Sequence, residues 1–252
     1  MGSRTVIAVP YHLDEHLPGL DFVLPPDRVV TADLPGGDVW ERLAVLESAV
    51  AEAVSAVAAD GRCPAVVSGD CFTALGVMAG LQAAGQTPGI VWFDAHGDVQ
   101  TPETTASGYL AGMPLRLLTG YRPELIAGRL GLRPVPEEHI VLAGARDLDP
   151  PEDSYLAASA IRQREVAALA AADLPGLPLY VHVDLDVLDP GEAPGLRFPT
   201  PGGPSAGQLA GALRMLLDTG RVAAITLGCT WYPGRSAAAG LSPVLGQALA
   251  AG

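Results

Sequence analysis

The stretch Gly89-Ile-Val-Trp-Phe-Asp-Ala-His-Gly-Asp98 decides the fold, because an unbroken apolar run leads directly into acidic and imidazole side chains. Continuous apolar runs of this length are typical of strands buried on both faces of a parallel sheet. Working outward from residues 89–98, the same pattern predicts further strands at residues 5–11, 65–70, 139–147, 179–187 and 222–231.

Segments of helical composition separate these strands. Helices are predicted at residues 38–60, 72–85, 161–172 and 205–220, and from about residue 236 onward. Asp38 and Ser205 are expected to cap the helices that follow them. The alternation predicts an α/β fold, a single doubly wound domain over residues 1–252 whose mostly parallel sheet carries helices on both faces. In such folds, ligands bind beyond the carboxyl ends of the strands.

The composition limits the classes of function. Hydrophobic residues make up 49% of the 252 residues and charged residues 17%, which is enough apolar material for a large core. The net charge of −13 disfavours nucleic acid as a partner, because like charges repel. It suits divalent cations or cationic substrates, although a soluble acidic surface explains it equally well. Three cysteines, no signal-peptide pattern and no membrane-length apolar run predict a cytoplasmic protein without a membrane partner.

Asp94, His96 and Asp98 are spaced two residues apart, and Asp184 and Asp186 repeat that spacing. In an extended segment alternate side chains point the same way, so each group is expected to face one side. A single Asp-x-Asp at a strand end is usually a loop cap, but carboxylates crowded in this way repel one another unless a cation neutralises them. Mixed carboxylate and imidazole ligands favour Mn²⁺, with Fe²⁺ or Zn²⁺ as alternatives. The two groups together predict a metal site, which shared carboxylates can extend to two ions.

These residues resemble the motifs of the arginase, agmatinase and formiminoglutamase superfamily, the ureohydrolases. Asp94-Ala-His-Gly-Asp98 is similar to the central motif of that superfamily. Asp184-Leu-Asp-Val-Leu-Asp-Pro190, followed by Gly202-Gly203, is similar to its second aspartate motif, and Ser68-Gly-Asp-Cys71 stands where the family usually has Gly-Gly-Asp-His. The resemblance covers residues 65–233, about two thirds of the chain. It implies an arginase-like fold and a hydrolase that acts on C–N bonds of linear amidines.

The resemblance also implies roles for these side chains. Six residues would hold two Mn²⁺ ions: Cys71, Asp94, His96, Asp98, Asp184 and Asp186. Asp94 and Asp184 would bridge the ions, while Cys71 and Asp98 complete one shell and the remaining two residues complete the other. Asp98 would also handle the proton of the attacking hydroxide as the tetrahedral intermediate collapses. His182 is interpreted as a packed core histidine, and because it is in phase with Asp184, a supporting role behind the metal ligands is the alternative. Relatives form trimers and hexamers, so a homo-oligomer stays open.

The substrate contacts carry over in part. Gln100, Thr105 and Ser107 lie in a stretch that resembles the arginase loop for the substrate's α-carboxylate, with glutamine in place of asparagine. The segment Arg146-Asp-Leu-Asp-Pro-Pro-Glu152 resembles the arginase segment whose second aspartate holds the α-amino group, which gives three further candidate contacts, Asp147, Asp149 and Glu152. The resemblance therefore implies a small guanidino amino acid as substrate, rather than a decarboxylated amine such as agmatine.

Three positions depart from the family pattern. Cys71 replaces a histidine ligand, and a soft thiolate matches Mn²⁺ poorly. Either one ion binds weakly through this thiolate, or Cys71 is a small buried residue and the ion takes a water instead. Ala111 replaces the histidine that arginases use as a proton shuttle. Thr230 stands where arginases place a glutamate that faces the guanidinium.

These departures disfavour arginine, whose guanidinium is permanently charged. An N-hydroxyguanidine is less basic and largely neutral, so it needs neither the counter-charge nor the shuttle. The preferred hypothesis is hydrolysis of Nω-hydroxy-L-arginine to L-ornithine and hydroxyurea, an activity that some superfamily members have in antibiotic biosynthesis. Two alternatives stay open: another ureohydrolase, of the arginase, guanidinobutyrase or formiminoglutamase type, or a catalytically silent metal-binding relative.

Overall fold

An eight-stranded parallel sheet organises the protein in the computed structural model, which describes residues 4–228, 231, 232 and 234–250. The strands in those residues are β1 (Arg4–Val9), β2 (Tyr11–His12), β3 (Glu15–His16), β4 (Arg28–Val29), β5 (Cys63–Ser68), β6 (Gly89–Phe93), β7 (Ile140–Ala143), β8 (Arg162–Arg164), β9 (Leu179–Asp184) and β10 (Val222–Gly228). The sheet order is β4-β1-β5-β10-β9-β6-β7-β8, and each neighbouring pair is parallel. Strands β2 and β3 form a separate antiparallel ribbon.

Helices cover both faces of this sheet. They are α1 (Val39–Ala59), α2 (Ala74–Ala83), α3 (Pro114–Leu118), α4 (Pro150–Ala158), α5 (Ala206–Asp218) and α6 (Ala238–Ala250). Buried side chains of α1 to α4 join one hydrophobic cluster, and those of α5 and α6 join another. Along β6, Trp92 belongs to the first cluster and Phe93 to the second, which explains why the run is apolar throughout. The predicted doubly wound α/β fold is therefore confirmed.

Local signals set the ends of several helices. Asp38 accepts a hydrogen bond from the backbone N–H of Glu41 at 3.0 Å, and Ser205 accepts one from that of Gln208 at 3.2 Å. Both residues are N-caps, as predicted, and each satisfies a donor that the first helical turn leaves free. Among the described helices, none combines the length and the apolar character needed to cross a lipid bilayer.

The prediction of a helix over residues 161–172 is wrong. This stretch forms strand β8 and two short 3-10 turns, Val166–Ala168 and Ala171–Asp173. Pairing with β8 satisfies the backbone groups on the outer edge of β7, and this long-range gain outweighs the helix propensity of the alanines. The helix lies earlier, in α4, where two prolines follow Asp149 and begin the first turn.

Glu47 is a buried carboxylic acid on α1, where it accepts a hydrogen bond from Gly76 N at 3.2 Å. Burial raises its pKa well above the ordinary value of 4.5, and the charge of Asp70 raises it further. We expect Glu47→Gln to increase the free energy of unfolding at mildly alkaline pH by about 1–3 kcal/mol, because an amide keeps the acceptor and removes the cost of holding a proton on this carboxyl group.

The raised pKa of Glu47 predicts that the free energy of unfolding falls as the pH rises. The folded protein retains the Glu47 proton and the unfolded chain releases it, so stability falls as the pH rises from 4.5 toward the raised pKa. Urea unfolding at several pH values should show a shallower fall in Glu47→Gln. Glu52→Gln, on an exposed position of the same helix, is the matched control with an effect below about 0.5 kcal/mol. Equal effects of the two substitutions would contradict the prediction.

Candidate active site

The candidate metal ligands meet where neighbouring strands end. Cys71 follows β5, Asp94 follows β6 and Asp184 is the last residue of β9, and all three side chains are buried. The Sγ atom of Cys71 lies 2.9 Å from Asp184 Oδ2 and 3.9 Å from Asp94 Oδ2. Strands β9 and β10 lie between β5 and β6 in the sheet, and this crossover brings the three strand ends together. The structure thus places these three residues on one rim.

Turns, rather than extended chain, bring together residues that are two apart. Strand β6 ends before Asp94, and β9 gives way to a 3-10 turn at Leu185–Val187, so the expected extended geometry is wrong. Asp94 Oδ1 accepts a hydrogen bond from His96 N at 2.7 Å, and Asp184 Oδ1 accepts one from Asp186 N at 2.9 Å. Each aspartate closes a short loop over the residue two positions later. The side chains converge because of these hydrogen bonds.

His96 lies between two carboxylates. Its Nδ1 atom is 3.3 Å from Asp94 Oδ1 and 3.1 Å from Asp186 Oδ2. Burial alone would lower the pKa of His96, but hydrogen bonds and charge from Asp186 and Asp94 outweigh burial and raise that pKa to about 12. The same contacts lower the pKa of Asp94 although burial opposes this. The two carboxylates therefore require a positive charge at this point.

The other acidic groups are crowded and poorly compensated. Burial raises the pKa of Asp98 well above its ordinary range, and the charges of Asp94 and Asp184 add to this. Burial followed by the charge of Asp186 does the same for Asp184, and burial followed by the charge of Asp94 raises the pKa of Asp186 to about 6. Burial and the charge of Asp184 raise the pKa of the Cys71 thiol. These groups cannot all ionise together unless cations lie among them.

The donor set fits divalent cations. Two groups place their ligand atoms within 4.8 Å of one another, namely Asp94 with His96 and Asp186, and Asp94 with Cys71 and His182. Asp94 belongs to both groups, so its two oxygens can serve two ions. In addition, the buried Oδ2 atom of Asp98 has no hydrogen-bond partner within the described part of the chain. Cations among these groups would relieve the repulsion among the carboxylates.

A cavity of about 240 Å³ connects these residues to the candidate substrate contacts. The metal-type residues in its lining are Cys71, His96, Asp98, Asp184 and Asp186. The candidate substrate contacts in its lining are Gln100, Thr105, Ser107, Asp149 and Glu152. One small cavity thus joins most of the residues that the sequence singled out.

Polar side chains of the substrate loop are already organised by hydrogen bonds. Gln100 Nε2 donates to Asp149 Oδ2 at 2.8 Å, which links the loop to the start of α4. Thr105 Oγ1 and Ser107 Oγ lie 3.4 Å apart. The hydroxyl of Thr105 also accepts a hydrogen bond from Gly108 N at 3.1 Å. The loop therefore presents two hydroxyl groups and an amide in a defined arrangement.

Glu152 joins the metal-binding loop to the segment that carries Asp149. Its Oε1 atom accepts a hydrogen bond from Val99 N at 3.3 Å, and its Oε2 atom accepts one from Asp149 N at 3.2 Å. A Cβ atom at Gly97 would come within 2.9 Å of Glu152 Oε1, so a larger residue there would displace the Glu152 carboxylate. Burial raises the pKa of Glu152. Glu152 therefore positions two backbone segments beside the cavity.

One candidate substrate contact, Asp147, lies outside the cavity lining. Asp147 is exposed, and its Oδ2 atom is 3.9 Å from His96 Nε2. The same oxygen accepts a hydrogen bond of 3.4 Å from Thr200 Oγ1, and the backbone N–H of Asp147 donates to Ala95 O at 3.0 Å. Thr230 falls outside the residues that the structure describes, so its expected place opposite the guanidino group stays a prediction.

Two aromatic residues in the cavity lining were not singled out from the sequence. The rings of Tyr109 and Phe198 lie 5.1 Å apart between centroids, and both line the cavity beside Ala111. The Tyr109 hydroxyl lies 3.4 Å from His12 Nε2, and burial raises its pKa. Tyr109 follows Ser107-Gly directly, which was the available signal, whereas no motif marks Phe198.

Comparison with known proteins agrees with this geometry. Residues 9–227 match the model of the Arginase family. The chain is 33% identical to the arginase of Bacillus subtilis (strain 168) over 188 residues, which are 68% of this chain and 62% of that protein. The match therefore spans less than two thirds of the curated relative.

Solved structures share the fold over nearly the whole chain. The arginase of Bacillus caldovelox superposes with a TM-score of 0.84 at 26% identity, covering 100% of this chain and 99% of that one. The formimidoylglutamase of Bacillus subtilis has the same fold, with a TM-score of 0.71 at 17% identity over 99% of this chain and 85% of that one. The family match, the sequence identity and the arrangement of the acidic strand ends agree, and the chain belongs to the arginase family, within the ureohydrolase superfamily.

Proposed function

We propose that this protein is a binuclear-manganese hydrolase of a guanidino C–N bond in an arginine-like α-amino acid. The preferred substrate is Nω-hydroxy-L-arginine, which would give L-ornithine and hydroxyurea. The observation that carries the proposal is the shared cavity, which is lined both by the carboxylate cluster and by Gln100, Ser107 and Asp149. Membership of the arginase family supports the reaction class.

Six side chains would hold the cations: Cys71, Asp94, His96, Asp98, Asp184 and Asp186. Two divalent cations, when bound, supply positive charge that lowers the pKa of a water molecule and makes it nucleophilic at neutral pH. Asp94 would contribute to both cation positions, because its Oδ1 lies 3.3 Å from His96 Nδ1 and its Oδ2 lies 3.9 Å from Cys71 Sγ. The predominance of oxygen and imidazole donors favours Mn²⁺.

Asp98 moves the proton in this proposal. Its Oδ2 atom is buried beside the cavity without a hydrogen-bond partner, so it is free to take a proton from the attacking water. A C–O bond forms at the guanidino carbon, and the bond from that carbon to the Nε atom of the substrate breaks. Asp98 then delivers the proton to the departing nitrogen, which leaves as the side-chain amine of ornithine.

The other contacts orient the amino-acid end of the substrate. Thr105, Ser107 and Gln100 offer hydroxyl and amide groups to the α-carboxylate, and Asp149 offers a carboxylate to the α-amino group. Each pairing joins a charged substrate group to a partner of suitable chemistry. Glu152 supports these contacts by fixing the backbone of Asp149.

The neutral side of the cavity favours the hydroxylated substrate. Ala111, Tyr109 and Phe198 line it, so a methyl group occupies the position from which a histidine would relay protons. An N-hydroxyguanidine is less basic than the guanidino group of arginine and is largely neutral, so it does not require a counter-charge from the protein. The aromatic rings add apolar surface that suits a neutral head group.

The test measures ornithine release by the Mn²⁺-loaded protein from L-arginine and from Nω-hydroxy-L-arginine, side by side. We expect a clear preference in kcat/KM for the hydroxylated substrate. A preference for arginine would refute the role given to Ala111 and Thr230. Release from neither substrate, with both metal positions filled, would refute the proposed reaction for this protein.

Hydrolysis of arginine itself is the second candidate. It is favoured by the relatives, because the curated proteins that match at 31–34% identity are named arginases. The same paired assay separates the two candidates, since both release ornithine and only the preferred substrate differs.

Asp149→Asn should raise KM for the amino-acid substrate by roughly 10-fold or more while changing kcat little, because it removes a charge that pairs with the α-amino group. Steady-state kinetics with the substrate and with its analogue lacking the α-amino group measures this. Asp153→Asn, an exposed change on the same helix outside the cavity lining, is the control. An unchanged KM in Asp149→Asn would show that the substrate has no α-amino group at this position.

A further inference from the structure

His182 is a buried polar residue that the proposed reaction does not use. It lies on β9, two residues before Asp184, and is fully buried. Neither of its ring nitrogens has a hydrogen-bond partner among the residues that the structure describes. A neutral imidazole has one donor and one acceptor, and leaving both unpaired in a protein interior is costly. This residue therefore requires an explanation beyond packing.

The ring of His182 is held in place beside the candidate metal ligands. It stacks on Trp92 with 3.7 Å between ring centroids. The indole N–H of Trp92 in turn donates to Asp94 Oδ2 at 3.1 Å. One stack thus fixes the imidazole and one edge of the Asp94 carboxylate.

A ring nitrogen of His182, the Sγ atom of Cys71 and a carboxylate oxygen of Asp94 all lie within 4.8 Å of one another. Ligand atoms around a tetrahedral ion are about 3–4 Å apart, given bonds of about 2.0–2.3 Å. Small side-chain movements bring the three atoms onto one cation. In the resemblance described above, Cys71 takes the place of a histidine ligand, and His182 supplies an imidazole close to it.

We propose that His182 is a metal ligand, and that Cys71, His182 and Asp94 form a thiolate–imidazole–carboxylate position that accepts Mn²⁺ but binds a softer divalent cation such as Zn²⁺ or Co²⁺ more tightly. This inference rests on the proposed metal-dependent function. The group of Asp94, His96 and Asp186 has only carboxylate and imidazole donors and suits Mn²⁺. The two halves of the centre then prefer different ions, and Asp94 joins them.

Metal binding by the full-length protein, stripped with a chelator and titrated with Co²⁺, tests this without any substrate. The wild type should bind two Co²⁺ ions and show the absorption of a thiolate bound to cobalt. His182→Phe keeps a ring that can stack on Trp92 but removes both nitrogens. This variant should lose the thiolate–cobalt absorption, and its affinity for one of the two Co²⁺ ions should fall by more than about 100-fold. A residue that only hydrogen-bonds to a metal ligand changes the affinity by about 10–100-fold, so a larger loss indicates direct ligation.

Three controls make the result specific. His96→Phe should lose the other ion and keep the thiolate–cobalt absorption, whereas Cys71→Ser should lose that absorption. His139→Phe makes the same exchange on a partly exposed turn before β7 and should bind both ions like the wild type. Thermal unfolding of the stripped proteins shows whether His182→Phe folds, and His182→Leu repeats the test if the phenyl ring is not accommodated.

Retention of both ions and of the thiolate absorption in folded His182→Phe would overturn the proposal and make His182 a packing residue. So would a wild-type protein that binds Co²⁺ without any thiolate absorption. Failure of the proposed reaction is distinguishable, because it would leave the cobalt titration unchanged while no guanidino substrate is hydrolysed.

Discussion

Asp98→Asn is expected to lower kcat by about 10²–10⁴-fold, the usual contribution of a group that transfers a proton in the transition state. The amide keeps the shape of the side chain but cannot accept and return a proton at Oδ2. Asn also tolerates the backbone of Asp98, whose φ is +53°. The loss should therefore reflect chemistry rather than misfolding. Single-turnover kinetics on Nω-hydroxy-L-arginine, normalised to bound metal, measures it.

The metal content separates two causes of that loss, since Asp98 is also a proposed ligand. Activity should stay low in Asp98→Asn protein that holds both ions at saturating Mn²⁺. Asp33→Asn makes the same charge change at an exposed position outside the cavity and should retain normal kcat. Full activity of Asp98→Asn with both ions bound would exclude the proton-transfer role.

Removal of the divalent cations should lower both activity and stability. An ion present at 1,000 times its Kd contributes about 4 kcal/mol to the free energy of unfolding. For a chain of this size each kcal/mol changes Tm by about 2–4 °C, so stripping one such ion should lower Tm by about 8–16 °C. Thermal unfolding with and without a chelator measures the difference, and Mn²⁺ should restore it.

Asp94→Asn is the matched variant for this experiment. It removes the carboxylate that belongs to both candidate cation groups, so a chelator should have little further effect on its Tm. A wild-type Tm that does not respond to the chelator, or an equally large response in Asp94→Asn, would contradict the proposed binding of cations at this cluster.

The strands were predictable because burial on both faces leaves a local mark in the sequence. The strand that ends at Phe93 contributes apolar side chains to both hydrophobic clusters, so its sequence is an unbroken run of apolar residues. The helix expected over residues 161–172 fails because β8 is determined by pairing with β7, which lies more than fifteen residues away in the chain. No pattern within residues 161–172 indicates that this segment pairs with β7.

The candidate site was predictable only in part, for a similar reason. Asp94, His96 and Asp184 stand at strand ends, where topology alone brings them together. The turns that aim their side chains depend on hydrogen bonds to the backbone, so the extended geometry expected from the spacing was wrong. Phe198 reaches the cavity through the fold of a long connection and carries no motif. His182 was interpreted as a core residue, because a sequence does not show whether a buried nitrogen is paired.

The two hydrogen bonds of Glu152 have a thermodynamic consequence. One oxygen binds the backbone of the loop that follows His96, and the other binds the backbone of Asp149. Any ordering of the loop by cations is thereby transmitted to the residue proposed to hold the substrate's amino group. If bound cations increase the affinity for substrate, linkage requires that bound substrate increase the affinity for the cations by the same factor. Protein with bound substrate should therefore hold its cations more tightly than substrate-free protein. When metal is scarce, the substrate-free molecules would lose their cations first.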